Sequence, residues 1–513
     1  MWPRFSFNDF RTIAHYLGVL IVCFAVAPGA PFVTALLLQE WEPASRYLLT
    51  VGICLTIGTT MRLLMPTPSR LNRQQAMAVT GLAWIVLALI AAIPLAMSNH
   101  YNTYTDALFD CVSGLTTTGA TCVTNIDHMS MADNMFRFVM HFVGGMGLVV
   151  VALSLGLFGR RSSDASLYAS EGRSEHVVPN VVQTTRFIAR MAVTVILCAL
   201  VPIFLVLLVT GMEPLRAFLH GLWLSISAFM TGGFSPMSTS VMYYHSAVVE
   251  TLLMVVMLLG SINFALYPEI RRGRTDHFFH DLEIRTGAMW LLLMTAVLVA
   301  TLASAPLFND LPEMLRNCAF MIVSAASTTG FQTVSANQLT TTFSSGAFLV
   351  LAIVMAVGGG AGATSGGIKF HRVGIIWKSF VSTVKSALFP ASARVVVDYH
   401  HIGRRQLRPE VSREALTVFT LYVITYVIGT LAGLAYGYDA MTALFESVAM
   451  ASNGGISAGI SGAGMPLGLE IIYILQMWAG RLEFVTLMAL IVEIVVSITP
   501  DRETFSRLLN RGK

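Results

Sequence analysis

Long apolar stretches punctuate this chain almost from end to end. Windows of about 20 predominantly apolar residues, the length that crosses about 30 Å of hydrocarbon, lie near 15–38, 47–66, 77–98, 135–158, 188–210, 246–268, 286–306, 345–376, 414–435 and 468–498. This predicts about ten membrane spans. The windows at 345–376 and 468–498 are too long for one straight span and predict bent or broken helices. Between the spans of each later pair sits an apolar segment too short to cross a bilayer.

Composition agrees. Apolar residues make up 55% of the 513 positions and Asp, Glu, Lys and Arg only 12%, against roughly 25% charged residues in soluble domains. Mean hydropathy is +0.69. The six Cys form no CxxC pair, so neither a disulfide framework nor a zinc site is readable. Near the N-terminus, Arg4 and Arg11 precede an apolar run, and Ala25-Val26-Ala27 resembles a signal cleavage site. Pro28 disfavours cleavage and the run continues to Leu38, so an uncleaved helix is expected.

The net charge of +4 is small, and no nucleic-acid partner is expected. Its distribution says more. Arg62, Arg70 and Arg73 fall between spans two and three, and Arg160, Arg161, Arg173, Arg186 and Arg190 between four and five. Arg271, Arg272, Arg274 and Arg285 lie between six and seven. Lys378, Lys385, Arg394, Arg404, Arg405, Arg408 and Arg413 lie between eight and nine, and Arg502, Arg507, Arg511 and Lys513 close the chain. The opposite connections hold few, Arg46 being an exception. The positive-inside rule places both termini in the cytoplasm.

On the outer side, four short segments end alike: Thr117-Thr118-Gly119, Thr231-Gly232-Gly233, Thr328-Thr329-Gly330 and Asn453-Gly454-Gly455. Ten residues before the last Gly of each stands an aromatic residue, Phe109, Trp223, Phe320 or Phe445. Twelve before it stands Ala107, Gly221, Cys318 or Ala443. The offsets fit a half-length helix whose C-terminus points at the Gly. The chain therefore divides into an N-terminal hairpin (1–75) and four repeats of span, short helix, Gly loop and span (76–175, 176–280, 281–395, 396–513).

Non-helical backbone is tolerated at membrane depth only where it is buried in protein or lines a watery cavity. Four such loops around one axis would offer carbonyl oxygens in place of an ion's hydration shell, and the helix C-termini would add partial negative charge. Oxygen ligands without clustered carboxylates suit a monovalent cation better than Ca²⁺ or Mg²⁺. The side chains of Thr117, Thr231, Thr328 and Asn453 could add ligands or tie down the loops. Asp110 and Glu446, one residue after the aromatic position, are expected at the outer mouth or behind the loops.

These Gly motifs, with Val143-Gly144-Gly145-Met146-Gly147, the Gly-rich stretch 358–369 and Gly480-Arg481-Leu482-Glu483, resemble the Trk, Ktr and HKT potassium transporter superfamily, most closely its TrkH branch. The resemblance covers essentially the whole chain. It implies an all-α integral membrane protein of the bacterial cytoplasmic membrane, with four span–pore helix–span units in pseudo-fourfold order and an extra N-terminal hairpin. It implies a homodimer in membrane lipid, a cytosolic TrkA-type nucleotide-binding regulatory subunit, and potassium as the transported ion with no organic cofactor. In the HKT branch, Ser at the first filter Gly goes with sodium permeation; here that position is Gly119.

Two further features lie beneath the expected filter. The stretch from Ala356 to Lys369 holds Gly358, Gly359, Gly360, Gly362, Thr364, Ser365, Gly366 and Gly367. It lacks the Gly-x4-Gly-Lys-Ser/Thr order and the preceding strand of a phosphate-binding loop. Close helix packing is one reading. The other is a broken helix with a flexible middle, and the resemblance implies an intramembrane gating loop here. Arg481, midway along the last span, is expected to face the protein interior or the pore, with a partner such as Glu483 or a backbone carbonyl. There it would repel a resting cation, and the resemblance implies a pore-constricting Arg. His141 is expected to be a packed, hydrogen-bonded histidine, Asn263 an interhelical donor, and 394–413 a basic face that could dock the partner or anionic lipid. A proton- or sodium-coupled symporter is the alternative function. No nucleophile–base or HExxH-like pattern suggests an enzyme.

Overall fold

The computed structural model describes residues 6–63, 71–147, 181–302, 310–390 and 395–498. Arg70, Arg160, Arg161, Arg173, Arg394 and the C-terminal basic residues from Arg502 onward lie outside these.

The N-terminal part folds as Phe7–Phe24, Gly29–Leu37 and Trp41–Leu63. Ser6 starts the first helix with a capping box closed by Asp9. The single helix expected over 15–38 is two helices joined by a turn at 25–28. The first and third cross closely because Gly18 and Gly58 face each other: a Cβ on Gly18 would stand 2.8 Å from the Gly58 carbonyl oxygen. Arg46, the exception to the charge pattern, is buried here. It pairs with Asp133 at 3.1 Å, and the Tyr47 hydroxyl donates to the same carboxylate at 2.5 Å.

Each of four following units consists of a long outer helix, a short pore helix and an inner helix. The outer helices are Arg73–Ala96, Val181–Val209, Leu282–Leu302 and Pro409–Ala435. The pore helices are Tyr104–Leu115, Pro214–Phe229, Leu311–Ala326 and Ala440–Ala451. Sequence fixes where the pore helices begin: Thr103 and Asp106 form a capping box, Asp439 caps the fourth, and the second and third open with proline in the first turn. Among the described residues, five helical segments are long and apolar enough to cross a membrane. Large apolar side chains such as Leu205, Leu292 and Leu431 face outward while small and aromatic ones fill the interior, as a lipid-surrounded bundle requires.

Among the described residues the second, third and fourth inner helices are interrupted, and the first ends. The first ends at Met146, with Gly147 at φ 81°. The second stops at Ser261 and resumes as Leu266–Arg271. The third stops at Ala356 and resumes at Phe370, and the fourth stops at Arg481 and resumes at Val485. Only the last two breaks show in the lengths of the apolar windows.

The basic segment 394–413 is not simply a solvated connection. It contains a small antiparallel hairpin, Asp398–His400 (β1) with Arg404–Gln406 (β2). Tyr399 of this hairpin joins Ile375 and Ala415 in a separate small apolar core.

Candidate functional site

All four pore helices end in one hydrogen-bonded pattern. The N–H groups of Thr118, Gly232, Thr329 and Gly454 reach back to the carbonyls of Ser113, Ser227, Ser324 and Ala449 at 2.8, 2.8, 2.9 and 2.8 Å. The residue before each is left-handed: Thr117 φ 55°, Thr231 φ 49°, Thr328 φ 54°, Asn453 φ 54°. This is the Schellman termination, which usually places Gly at the left-handed position. Three β-branched Thr occupy it here, a strained choice that surroundings must hold in place.

The last Gly of each motif is left-handed again, at φ 88°, 80°, 95° and 61° for Gly119, Gly233, Gly330 and Gly455. The residue between has negative φ. Alternating handedness turns successive carbonyls toward the same side of an extended strand, an arrangement suited to a cation.

The four loops close into a ring. A Cβ on Gly119 would strike the carbonyl oxygen of Gly232, one on Gly233 that of Thr329, one on Gly330 that of Gly454, and one on Gly455 that of Thr118. Each unit thus abuts the next, and the fourth abuts the first. No side chain fits at these positions without pushing a neighbouring carbonyl aside.

A second row of glycines supports the ring from below. Cβ atoms on Gly144, Gly260, Gly358 and Gly480 would strike the carbonyl oxygens of Leu115, Phe229, Ala326 and Ala451, each the last residue of its own unit's pore helix. Each inner helix thereby touches the end of its pore helix where it ends, at its last residues in units one, two and four and just past Ala356 in unit three. Gly144, Gly358 and Gly480 stood out in the sequence; their equivalence with one another and with Gly260 did not.

The side chains at the left-handed position face the breaks. Thr231 Oγ1 donates to Thr364 Oγ1 at 3.1 Å, Thr328 Oγ1 accepts from the Gly366 N–H at 2.7 Å, and Thr117 Oγ1 accepts from Arg481 at 3.4 Å. Asn453 Nδ2 donates to Thr118 Oγ1 at 3.0 Å and to the Met477 carbonyl at 2.9 Å. Of the two roles open to these side chains, tying down the loops is the one these contacts express.

The 356–369 stretch runs beneath this ring. Thr364 Oγ1 also donates to the Gly260 carbonyl at 2.9 Å and the Phe229 carbonyl at 3.1 Å. Gly366 is packed so closely against the fourth Gly loop that a Cβ would meet the Ser452 carbonyl. Gly359, Gly362 and Gly367 have φ of 62°, 69° and 68°. Gly360 donates its N–H to the Ser261 carbonyl at 2.8 Å. Ser365 is buried, and Lys369, 5% exposed, turns its ammonium back onto the Ser365 carbonyl.

Arg481 completes the layer. Its guanidinium donates to the Thr364 carbonyl at 2.7 Å and to the Gly144 carbonyl at 2.5 Å, and lies 5.7 Å from the Trp84 ring centroid. Backbone carbonyls therefore hold it. Glu483 instead pairs with Arg372, at the start of the continued third inner helix.

Behind the ring, Asp110 and Arg137 are both fully buried and pair at 3.0 Å. Tyr101 and Thr121 donate to the same carboxylate. The Arg137 guanidinium sits 4.0 Å from the ring centroid of Phe234, the residue after Gly233. Glu446 accepts from the N–H groups of Ala458 and Ile460 at 2.8 and 3.1 Å and from the hydroxyls of Ser457 and Ser461. Both carboxylates brace loops rather than line the ring. His141 corrects the expectation of a hydrogen-bonded histidine. Its ring stacks on Phe234 at 4.3 Å and presses against Gly232, and neither nitrogen has a hydrogen-bonding partner among the described residues. Asn263, expected on a helix, lies in the break of the second inner helix and donates to Glu283, in the first turn of the third outer helix, at 3.4 Å.

Comparison with known proteins agrees with this geometry. Residues 45–497 match the model of the TrkH family, described as cation transport proteins. The chain belongs to the TrkH family. A cation transporter of Methanocaldococcus jannaschii, itself uncharacterized, is 28% identical across 95% of this chain and 96% of its own length. The Trk system potassium uptake protein TrkH of Escherichia coli strain K12 is 27% identical across 94% and 98%. The crystal structure of the potassium transporter TrkH from Vibrio parahaemolyticus superposes with a TM-score of 0.80 at 23% identity, covering 96% of this chain and 99% of that one. The all-α membrane architecture is thus that of the TrkH fold.

Proposed function

We propose that this TrkH-family chain takes up potassium ions across the cytoplasmic membrane through the ring at Gly119, Gly233, Gly330 and Gly455. The observation that carries this reading is the cyclic closure of the four loops, each Gly abutting the preceding carbonyl of the next unit. Carbonyl oxygens of residues 117–119, 231–233, 328–330 and 453–455 would replace the hydration shell, and four pore-helix C-termini favour positive charge on the axis. The relatives named as potassium uptake proteins support potassium as the ion.

The 356–369 loop and Arg481 act as the gate. Together they bond to filter residues of units one, two and three, and Arg481 adds a positive charge below the ring. On this reading the layer obstructs the path beneath the ring until the loop moves. Opening requires the loop to leave Thr231 and Thr328, which the left-handed glycines in it permit. The orientation has both termini in the cytoplasm. The working form is a homodimer regulated by a cytosolic TrkA-type nucleotide-binding subunit.

Complementation tests this directly. In bacteria lacking potassium uptake, the wild-type chain with its partner should restore growth at low potassium. Variants bearing Ala at Gly119 or Gly233 should not, although they reach the membrane. Growth supported by those variants would contradict a role for the ring.

A further inference from the structure

The loop below the ring is held from the far end of unit three by a continuous set of contacts. The Ala361 N–H donates to Glu283 Oε1 at 2.8 Å. Glu283 opens the third outer helix, and its own N–H donates to Asp281 Oδ1 at 2.9 Å. Asp281 is gripped in turn by the hairpin tip: His401 Nδ1 lies 3.2 Å from Asp281 Oδ2, and the Ile402 N–H donates to that oxygen at 3.0 Å. Asp281, Glu283 and His401 are 0%, 2% and 1% exposed.

Two observations mark this as more than a packed corner. Ile402 has φ 57°. A β-branched residue in the left-handed region is a true outlier and persists only where other contacts impose it; here it aims the N–H at Asp281. The hairpin also reaches the loop's other end. The His401 ring lies 4.4 Å from that of His371, just past Lys369 where the third inner helix resumes. One small element thus contacts Asp281, which leads to the loop through Glu283, and His371, just past the loop's C-terminal end, and Tyr399, packed with Ile375 and Leu282, fixes it to both helices.

We propose that the hairpin Asp398–Gln406 is a clasp that positions the gate loop through Asp281 and Glu283, so that displacing the hairpin frees the loop. This rests on the gate reading above. Glu283 is a positioning residue: it acts on the loop through Ala361. Within the hairpin, Arg404 of β2 pairs with Asp398 of β1 at 2.6 Å, which holds its two strands together.

The experiment is Rb⁺ flux into liposomes holding the full chain without a partner, with folding checked by size-exclusion elution. Glu283→Ala and His401→Ala should each raise flux about fivefold, the effect of losing one hydrogen bond of ordinary net strength. The double variant should not exceed the larger single effect, because both cut one line of contacts. Glu283→Gln, which keeps an acceptor for the Ala361 N–H, should stay near wild type, and Ile402→Gly, which keeps the N–H and removes the strain, should not raise flux. Arg481→Ala is the control for the gate. If it raises flux while the Glu283 and His401 variants do not, or if their effects multiply, the clasp is overturned and the gate stands. If none raises flux, gate and clasp fall together.

Discussion

The guanidinium of Arg481 donates to the carbonyl oxygen of Thr364 at 2.7 Å. This joins the fourth inner helix to the loop of the third directly below the ring. The same guanidinium reaches the Gly144 carbonyl of the first unit, so one side chain ties three units together.

Arg481→Ala should therefore increase cation flux. A unit charge about 10 Å from an ion, at an effective dielectric of about 20, raises its energy by about 1.7 kcal/mol, or more than tenfold in rate. Loss of the Thr364 bond adds to the effect. Arg481→Lys keeps the charge but not the fork of donors, and should fall between the two. Rb⁺ flux in liposomes reads all three. Equal rates would remove Arg481 from the barrier.

The ring glycines are not equally tight. A Cβ at Gly330 would stand 2.8 Å from the Gly454 carbonyl oxygen, whereas Cβ atoms at Gly119, Gly233 and Gly455 meet their carbonyls more closely still. Of the four Gly→Ala variants, Gly330→Ala should retain the most flux. Potassium-dependent growth of the four, with expression matched, checks the order.

How much of this was legible in the chain depended on whether a feature repeats in local sequence. Gly119, Gly233, Gly330 and Gly455 share upstream aromatic residues at a fixed offset, so the ring could be read. Gly144, Gly358 and Gly480 stood out in motifs and Gly260 sits in an apolar run, but nothing in the local sequence marks the four as equivalent. Their role appears only when each meets the last carbonyl of its own pore helix. The fourth inner-helix break was expected from the length of its window, but no Gly or Pro within 482–484 marks its place: Glu483 and Phe484 are left-handed at φ 52° and 62°. The hairpin was hidden because three-residue strands of charged and aromatic residues carry no alternation long enough to recognise. Asp110 and Arg137 lie on different helices, and nothing in their spacing pairs them.

That pair gives a stability prediction. Both partners are fully buried, so Arg137→Ala strands a carboxylate in the interior at a cost of about 3–5 kcal/mol. Asp110→Asn with Arg137→Ala removes the stranded charge and should recover part of the loss. Thermal unfolding in detergent measures both. Arg137→Ala should also loosen Phe234 behind the second loop and lower the preference for potassium over sodium.

Asp281 supplies a pH dependence. Burial raises its carboxyl, but hydrogen bonds from His401 and from the Ile402 and Glu283 N–H groups, with the His401 charge, outweigh it and hold it below the ordinary 3.8. A carboxyl lowered in the folded state stabilises fully above its unfolded value, and this is lost as pH falls through the folded one. The titratable groups around it are Glu283, His401 and His400, with the His371 ring tilted against His401. While His401 stays protonated, the thermal advantage of wild type over Asp281→Asn should hold above pH 3.8 and shrink below it. An advantage that vanished nearer neutrality would show that another group dominates the clasp.

The central claim is a potassium-selective path through the four-loop ring, and ion flux into liposomes tests it most directly. With the purified chain and its regulatory partner, K⁺ and Rb⁺ should enter much faster than Na⁺ and Li⁺, at rates unchanged by imposing a pH gradient. Equal entry of Na⁺ would contradict the selectivity of the ring, and K⁺ entry that requires a proton or sodium gradient would make the protein a symporter instead.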